Sequence, residues 1–208
     1  MYAPRFFRER SVERMIALVR EHCFGTIVSV HAGRAIATHL PVLIEGAAET
    51  DLRILSHFAR ANEQGKALGD GDEVLAMFQG PHGYITPSWY REEEDVPTYN
   101  YSAVHIRGIY RPIEDPAEVR RLLEQTVHHF EQHSSRPWMM EDISPTVVEG
   151  FMKGVTCFSI EVTSIEGVAK HSQDKSAADR TSILTGLKVR DGEGDPQLLD
   201  GMKASLRD

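Results

Sequence analysis

The segment Ser56-His-Phe-Ala-Arg-Ala-Asn-Glu-Gln-Gly-Lys66 concentrates groups able to hold an anion. The spacing predicts that a strand ends here and a short helix, Ala59 to Leu68, begins. Ser56 and His57 offer a hydroxyl and an imidazole at the end of the strand. Arg60 and Asn62 sit in the turn. Lys66 follows Asn62 by one helical turn and shares its side. Free backbone N–H groups of a first helical turn, a forked guanidinium and an ammonium together form a cradle for a phosphate monoester. The plainer reading is an ordinary capped surface helix.

Other segments carry weaker signals. Gly80-Pro-His-Gly-Tyr-Ile-Thr-Pro-Ser-Trp-Tyr90 and Val96-Pro-Thr-Tyr-Asn-Tyr101 set aromatics on a backbone stiffened by proline. Such a surface suits the cover of a planar ring, or equally a core plug or a dimer interface. In Ala35-Ile-Ala-Thr-His-Leu-Pro41 the strand period puts Thr38 and His39 on opposite faces, so one of them can line a site. His129 and His133 stand one turn apart on an expected helix, but no third metal ligand accompanies them, and a solvated face is the better reading. Ser88 lacks a nucleophile-elbow context. Gly192-Glu-Gly194 follows no strand and is not a nucleotide loop.

These groups need elements to position them. Ser11 caps an expected helix with apolar Val12, Met15, Ile16, Val19 and Cys23. Phe24–Val30 and Arg34–Ile44 read as a hairpin turning at His31–Arg34, with Pro41 at an edge or bulge. Leu52–Phe58 is a third strand and Glu73–Gln79 a fourth. Gly80–Trp89 reads as a strand broken by turns, Arg91–Val96 as a charged loop, and Thr98–Pro112 as a long strand. Asp115-Pro-Ala-Glu118 opens a helix striped by Val119, Leu122, Leu123, Val127 and Phe130. Glu141–Met152 is a second helical piece, Gly154–Val168 a strand, and Ser176–Val189 a polar helix. The tail after Asp191 carries one weak helix. Six or seven hairpin-linked strands with few helices predict an α+β, mainly β architecture: an antiparallel barrel with peripheral helices.

Composition narrows the classes. A chain of 208 residues buries about 70% of its extended surface, enough for one sizeable core. Net charge is -8, no basic run occurs, and Glu92-Glu-Glu-Asp95 is acidic. Generic coating of nucleic acid is disfavoured. No stretch approaches the ~20 apolar residues of a membrane span, and the N-terminus lacks the pattern of a secretory signal. Cys23 and Cys157 read as two buried thiols of a cytoplasmic protein.

Taken in order, F-G-T-I-V-S-V, A-T-H-L-P, S-H-F-A-R-A-N-E-Q-G-K, F-Q-G-P-H-G-Y-I-T-P-S-W-Y, V-P-T-Y-N-Y-S-A-V-H-I-R-G and I-E-G-V-A-K-H-S-Q-D-K resemble the PaiB-type FMN-binding negative transcriptional regulators. The likeness runs from Met1 to about Arg180. It implies an FMN-binding split-barrel domain over 1–175, a C-terminal helical extension over 176–208, and a homodimer with the flavin between subunits. It also implies site residues. Ser56, His57, Arg60, Asn62 and Lys66 would hold the phosphate. Thr38, His39 and Leu40 would border the isoalloxazine. Lys170 and Gln173 would reach the flavin, and Trp89, Asn100 and Tyr101 would line the wall or the partner surface. The chain departs from the family at Gly65, where an aromatic is usual, and at Val168, Ala169 and Asp174. These departures bear on flavin retention more than on fold. DNA binding follows only by analogy, since no basic recognition helix is visible and Arg180, Lys188 and Arg190 are few. The alternative is a flavin-dependent oxidoreductase, for which His39, His57 and His105 are candidate proton carriers. A haem-binding relative of the same fold is the third reading.

Overall fold

The computed structural model describes residues 1–92, 94–190 and 196–204. The segment containing Gly192–Gly194 lies outside them. The strands are β1 (Arg8–Glu9), β2 (Phe24–His31), β3 (Arg34–Pro41), β4 (Leu43–Glu45), β5 (Arg53–Ala59), β6 (Glu73–Ile85), β7 (Thr98–Ile113) and β8 (Val155–Lys170). The helices are α1 (Val12–Glu21), α2 (Glu63–Ala67), α3 (Pro116–Glu131), α4 (Pro145–Lys153), α5 (Ala177–Arg190) and α6 (Pro196–Ala204). One antiparallel sheet has the order β3-β2-β6-β7-β8-β5-β4, with β1 alongside β8. The expected α+β, mainly β class is the observed one.

Local chemistry accounts for the best-formed pieces. The β2–β3 hairpin closes through Ala32 and Gly33, at φ 49 and 76, the left-handed pair that a tight right-twisted hairpin requires. β3 stands at one end of the sheet, where Pro41 costs little for its missing N–H. Asp115 accepts from the Ala117 and Glu118 amides and starts α3 with Pro116 at its first position.

Several boundaries differ from expectation. The helix expected from Ala59 is only α2, because Asn62 takes the cap position and starts it at Glu63. The strand expected to break at Gly80 runs unbroken as β6 to Ile85, followed by a 3-10 turn over Pro87–Trp89. The helical piece expected from Glu141 divides into a 3-10 turn, Met140–Asp142, and α4, which waits for Pro145. β1 has two residues and no periodicity to announce it.

The chain divides into two units. The first comprises Met1–Leu18, Gln79–Val104 and Glu166–Asp208. Its core gathers Ile85, Ile183, Leu187, Leu198, Leu199 and Met202, with Trp89 packed against them. The helix read as polar therefore buries Ile183 and Leu187, two apolar positions four apart.

The second unit comprises Val19–Phe78 and His105–Ile165. Phe158 stacks on Phe58 at 4.7 Å between ring centroids and meets Tyr110 at 5.2 Å, all three fully buried. Outside β5 and β8, Leu122 of α3 closes over Leu55 and Cys157. No disulfide links the two cysteines; Cys23 is half-buried rather than buried.

Burial raises the Cys157 thiol to about 11, opposed weakly by the Arg60 charge. The folded protein thus holds this proton more tightly than the unfolded chain. The contribution to stability is present below the thiol's ordinary 9.0 and is lost as pH rises toward 11. A disulfide-exchange reagent at about pH 8 is expected to leave Cys157 untouched in the native protein and to label it on unfolding. Rapid native labelling of two thiols would contradict this burial.

Candidate functional site

In the second unit, β5 delivers the anion-binding segment and β3 lies close by. Strand alternation separates the first two candidates. Ser56 is buried, and its hydroxyl donates to the Pro41 carbonyl at 2.7 Å. His57, next along, borders an apolar cavity of about 190 Å3 with Leu123, Trp138, Met140, Phe151 and Met152. Its Nδ1 is buried with no hydrogen-bond partner among the described residues. Desolvation lowers its pKa, which keeps the ring neutral at pH 7.

The turn that follows is built around Asn62. Its Oδ1 accepts from the Gln64 and Gly65 amides at 2.9 and 3.1 Å, and its Nδ2 donates to Thr38 Oγ1 at 3.3 Å. One side chain therefore caps α2 and ties it to β3. It also occupies two N–H groups expected to be free for an anion. Gln64, buried beside it, donates to the Ile27 and Ile36 carbonyls and to Ser29 Oγ. Sequence reasoning passed over Gln64. The available signal was an uncharged amide directly after a cap and an acidic residue.

The cations remain available. Arg60 donates Nε to the Lys153 carbonyl at 2.5 Å and Nη2 to the Val155 carbonyl at 2.8 Å. Its head is thereby fixed, and Nη1 has no partner among the described residues. Lys66 is exposed, and its ammonium makes no hydrogen bond or ion pair among the described residues. A fixed guanidinium and an unengaged ammonium beside a pinned helix start fit a phosphate ester by their donor chemistry.

On β3, Thr38 is half-buried, His39 exposed and Leu40 buried. His39 stacks on Phe24 at 6.2 Å between centroids, and its Nδ1 lies 2.9 Å from Thr26 Oγ1. At Gly65, an added Cβ would sit 3.0 Å from the Phe58 ring. Any side chain at this position therefore requires Phe58 to give by a few tenths of an ångström. Asn62→Ala is expected to lower stability by about 1–2 kcal/mol through loss of the cap. A urea midpoint equal to wild type would show that the cap carries no stability.

The remaining candidates belong to the first unit. Asn100 is fully buried and exchanges two hydrogen bonds with Ser172, at 2.9 and 3.2 Å. Ser172 has φ 60, and this pair holds the turn after β8. Tyr101 is half-buried on the opposite face of β7. Lys170 donates to Thr98 Oγ1 and lies over the Phe7 ring at 5.5 Å. Gln173 folds back, accepting from the His171 amide and donating to the Ala169 carbonyl. Trp89 packs on the helix core with the Arg190 guanidinium 5.2 Å above its ring. Arg190 also donates to the Tyr84 carbonyl, so that α5 cation serves internal packing.

Three comparisons bear on this arrangement. The chain matches the family described as "Putative FMN-binding domain" over residues 1–164. It is 34% identical over 207 residues to the Protease synthase and sporulation protein PAI 2 of Bacillus subtilis, covering 100% of this chain and 99% of that protein. Among solved structures it is similar to the flavocytochrome Anf3 of Azotobacter vinelandii, at a TM-score of 0.63, 15% identity, and coverage of 81% and 72% of the two chains. It is also similar to a FAD and haem binding protein of Mycobacterium smegmatis, at a TM-score of 0.58, 15% identity, and coverage of 84% and 79%. These likenesses place the sheet in the flavin-binding split-barrel fold, and the family match gives FMN as the cofactor.

Proposed function

We propose, from the premise that this chain belongs to the FMN-binding domain family matched over residues 1–164, that it is a flavin-loaded regulator of transcription. The FMN phosphate is held where β5 passes into α2, by Lys66 and Arg60, with Thr38 and Asn62 as neutral donors. Thr38, His39 and Leu40 border the ring. The protein acts as a homodimer in the cytoplasm, and Asn100, fully buried against Ser172, supports the turn after β8 rather than facing a ligand.

The observation that supports this most directly is the double role of Asn62, which joins the phosphate-side helix to the ring-side strand through three hydrogen bonds. Two segments that must act on one ligand are thereby held in one register before it arrives, which lowers the ordering cost of binding. Bound FMN supplies one- and two-electron redox chemistry at its isoalloxazine. The residues here bind and orient: Arg60 and Lys66 oppose the phosphate charge, and Leu40 gives the ring an apolar contact. The regulatory part of the reading rests on the name of the Bacillus subtilis relative, which ties that protein to protease synthesis and sporulation.

The test is an FMN titration of the full chain followed by sizing. Flavin absorbance co-eluting with a dimer supports the reading; protein that elutes without flavin at saturating FMN overturns it. A mobility-shift titration with promoter DNA, at moderate salt, decides direct DNA contact. Turnover of NADH by the bound flavin would instead favour the oxidoreductase.

A further inference from the structure

We propose that the cavity between β5, α3 and α4, within the second unit, binds a small uncharged aromatic carrying one hydroxyl, a single-ring phenol, with His57 as its polar anchor. Strand alternation puts His57 on the face of β5 that Leu55 shares. Leu122 of α3 closes over Leu55 and Cys157. His57, opposite Cys157 in the β5–β8 ladder, instead meets a cavity of about 190 Å3. Its Nδ1 is buried without a partner, and the imidazole makes no hydrogen bond among the described residues. Folded proteins seldom leave a buried polar group unpaired, because it gives up water and gains no bond in exchange. An apolar residue would fill this position without that cost. A polar one calls for a partner that arrives from outside.

The walls are built before any ligand enters. Leu123 and Val127 of α3, and Val148 and Met152 of α4, are pairs four apart on one helix face, and all four line the cavity. The connection that carries Trp138 is pinned at two places. The Trp138 amide donates to Glu131 Oε2 and the Met139 amide to Asp142 Oδ2, each at 2.9 Å. At the far end of α4, the Arg60 guanidinium holds the Lys153 and Val155 carbonyls. Trp138 and Phe151 line the cavity while 40% and 68% exposed, so they flank its mouth.

The lining sets the ligand class. It contains no charged side chain, and its one hydroxyl, on Thr126, already donates to the Leu122 carbonyl. An ion would lose its water here with nothing to replace it. Water itself is poorly held, since a buried water needs about 2–4 polar partners. The His57 ring is neutral at pH 7, so it offers one donor and one acceptor. A phenolic hydroxyl answers either one, and with Nδ1 enclosed it meets the ring through Nε2. The volume lies above the ~150 Å3 of an apolar cavity that admits benzene and below the roughly 300 Å3 at which drug-sized sites begin. One aromatic ring fits; a three-ring isoalloxazine does not.

The test is calorimetric titration of the full chain with p-cresol, beside toluene, which lacks only the hydroxyl, and p-toluate, which carries a charge. p-Cresol is expected to saturate one site per chain and to bind about tenfold tighter than toluene, as one hydrogen bond to the imidazole contributes. p-Toluate is expected not to bind. His57→Phe keeps a flat ring without nitrogens and should bring the two affinities level by weakening p-cresol. Val148→Phe fills the cavity and should abolish both, with a melting curve to show that the variant folds. No saturable heat with p-cresol, equal affinities for p-cresol and toluene in the wild type, or a preference that survives in His57→Phe overturns the proposal. So does p-cresol binding retained by folded Val148→Phe, or p-toluate binding as tightly as p-cresol. If Val148→Phe does not fold, the ratio in His57→Phe decides. At saturating FMN the p-cresol affinity should be unchanged; displacement by FMN would assign the cavity to the flavin and also overturn the proposal.

Discussion

Lys66→Glu is expected to weaken FMN binding by about a hundredfold while leaving the thermal midpoint where it is. Removing a charge-assisted contact to a phosphate costs about tenfold, and placing a carboxylate there adds repulsion of similar size. Lys66 can be changed cheaply because its side chain is exposed and engaged with no described residue. The helix around it is fixed by Asn62 and Gln64 instead. Lys66→Ala should fall between the two. The measurement is quenching of flavin fluorescence on titration, beside a melting curve of the apoprotein. An unchanged dissociation constant in Lys66→Glu would move the phosphate away from this corner. A lowered melting midpoint would give the lysine a structural role instead.

Gly108→Val is expected to cost about 3 kcal/mol or more, a large part of the margin of a typical domain. Gly108 lies on β7 within the second unit, and a Cβ there would stand 2.4 Å from the Glu161 carbonyl oxygen and 2.5 Å from Ile160 Cγ2. The first of these is backbone. β8 cannot yield at Glu161 without disturbing its pairing with β5 at Arg53↔Glu161 and Ile54↔Ile160. That ladder also carries Phe158, which stacks on Phe58 and meets Tyr110. Gly150→Ala serves as the control, because nothing lies within 4 Å of a Cβ on that helical glycine. Urea unfolding should show a much lower midpoint for Gly108→Val and none of this loss for Gly150→Ala. Equal midpoints for Gly108→Val and wild type would mean that the strands can separate at little cost.

Most strands and long helices were legible in the chain because each rests on a local rule. Arg34 to Pro41 alternates, Asp115-Pro116 opens a helix with a cap and a proline, and Ala32-Gly33 turns a hairpin. Periodicity failed where a tertiary contact overrides it. β6 passes through Gly80 and Pro81 because neighbouring strands hold it, and the short β1 exists only by pairing with β8. α5 reads as polar because only Ile183 and Leu187 report its buried side.

The candidate site divides along the same line. By residue type and spacing alone, the chain determined that Arg60, Asn62 and Lys66 gather at a strand-to-helix turn, that Thr38 and His39 face apart, and to which family the motifs point. Tertiary structure alone decided where each hydrogen bond goes. Asn62 spends its amide on α2 and Thr38, Ser56 turns to Pro41, and His57 faces an apolar cavity. It also decided that Arg8, Arg14 and Arg180 meet around one cavity. The physical reason is range. Caps, turns and alternation act over a few residues and are written in the chain. The partner of a polar side chain is chosen among groups tens of residues away, and only packing brings those within 3 Å.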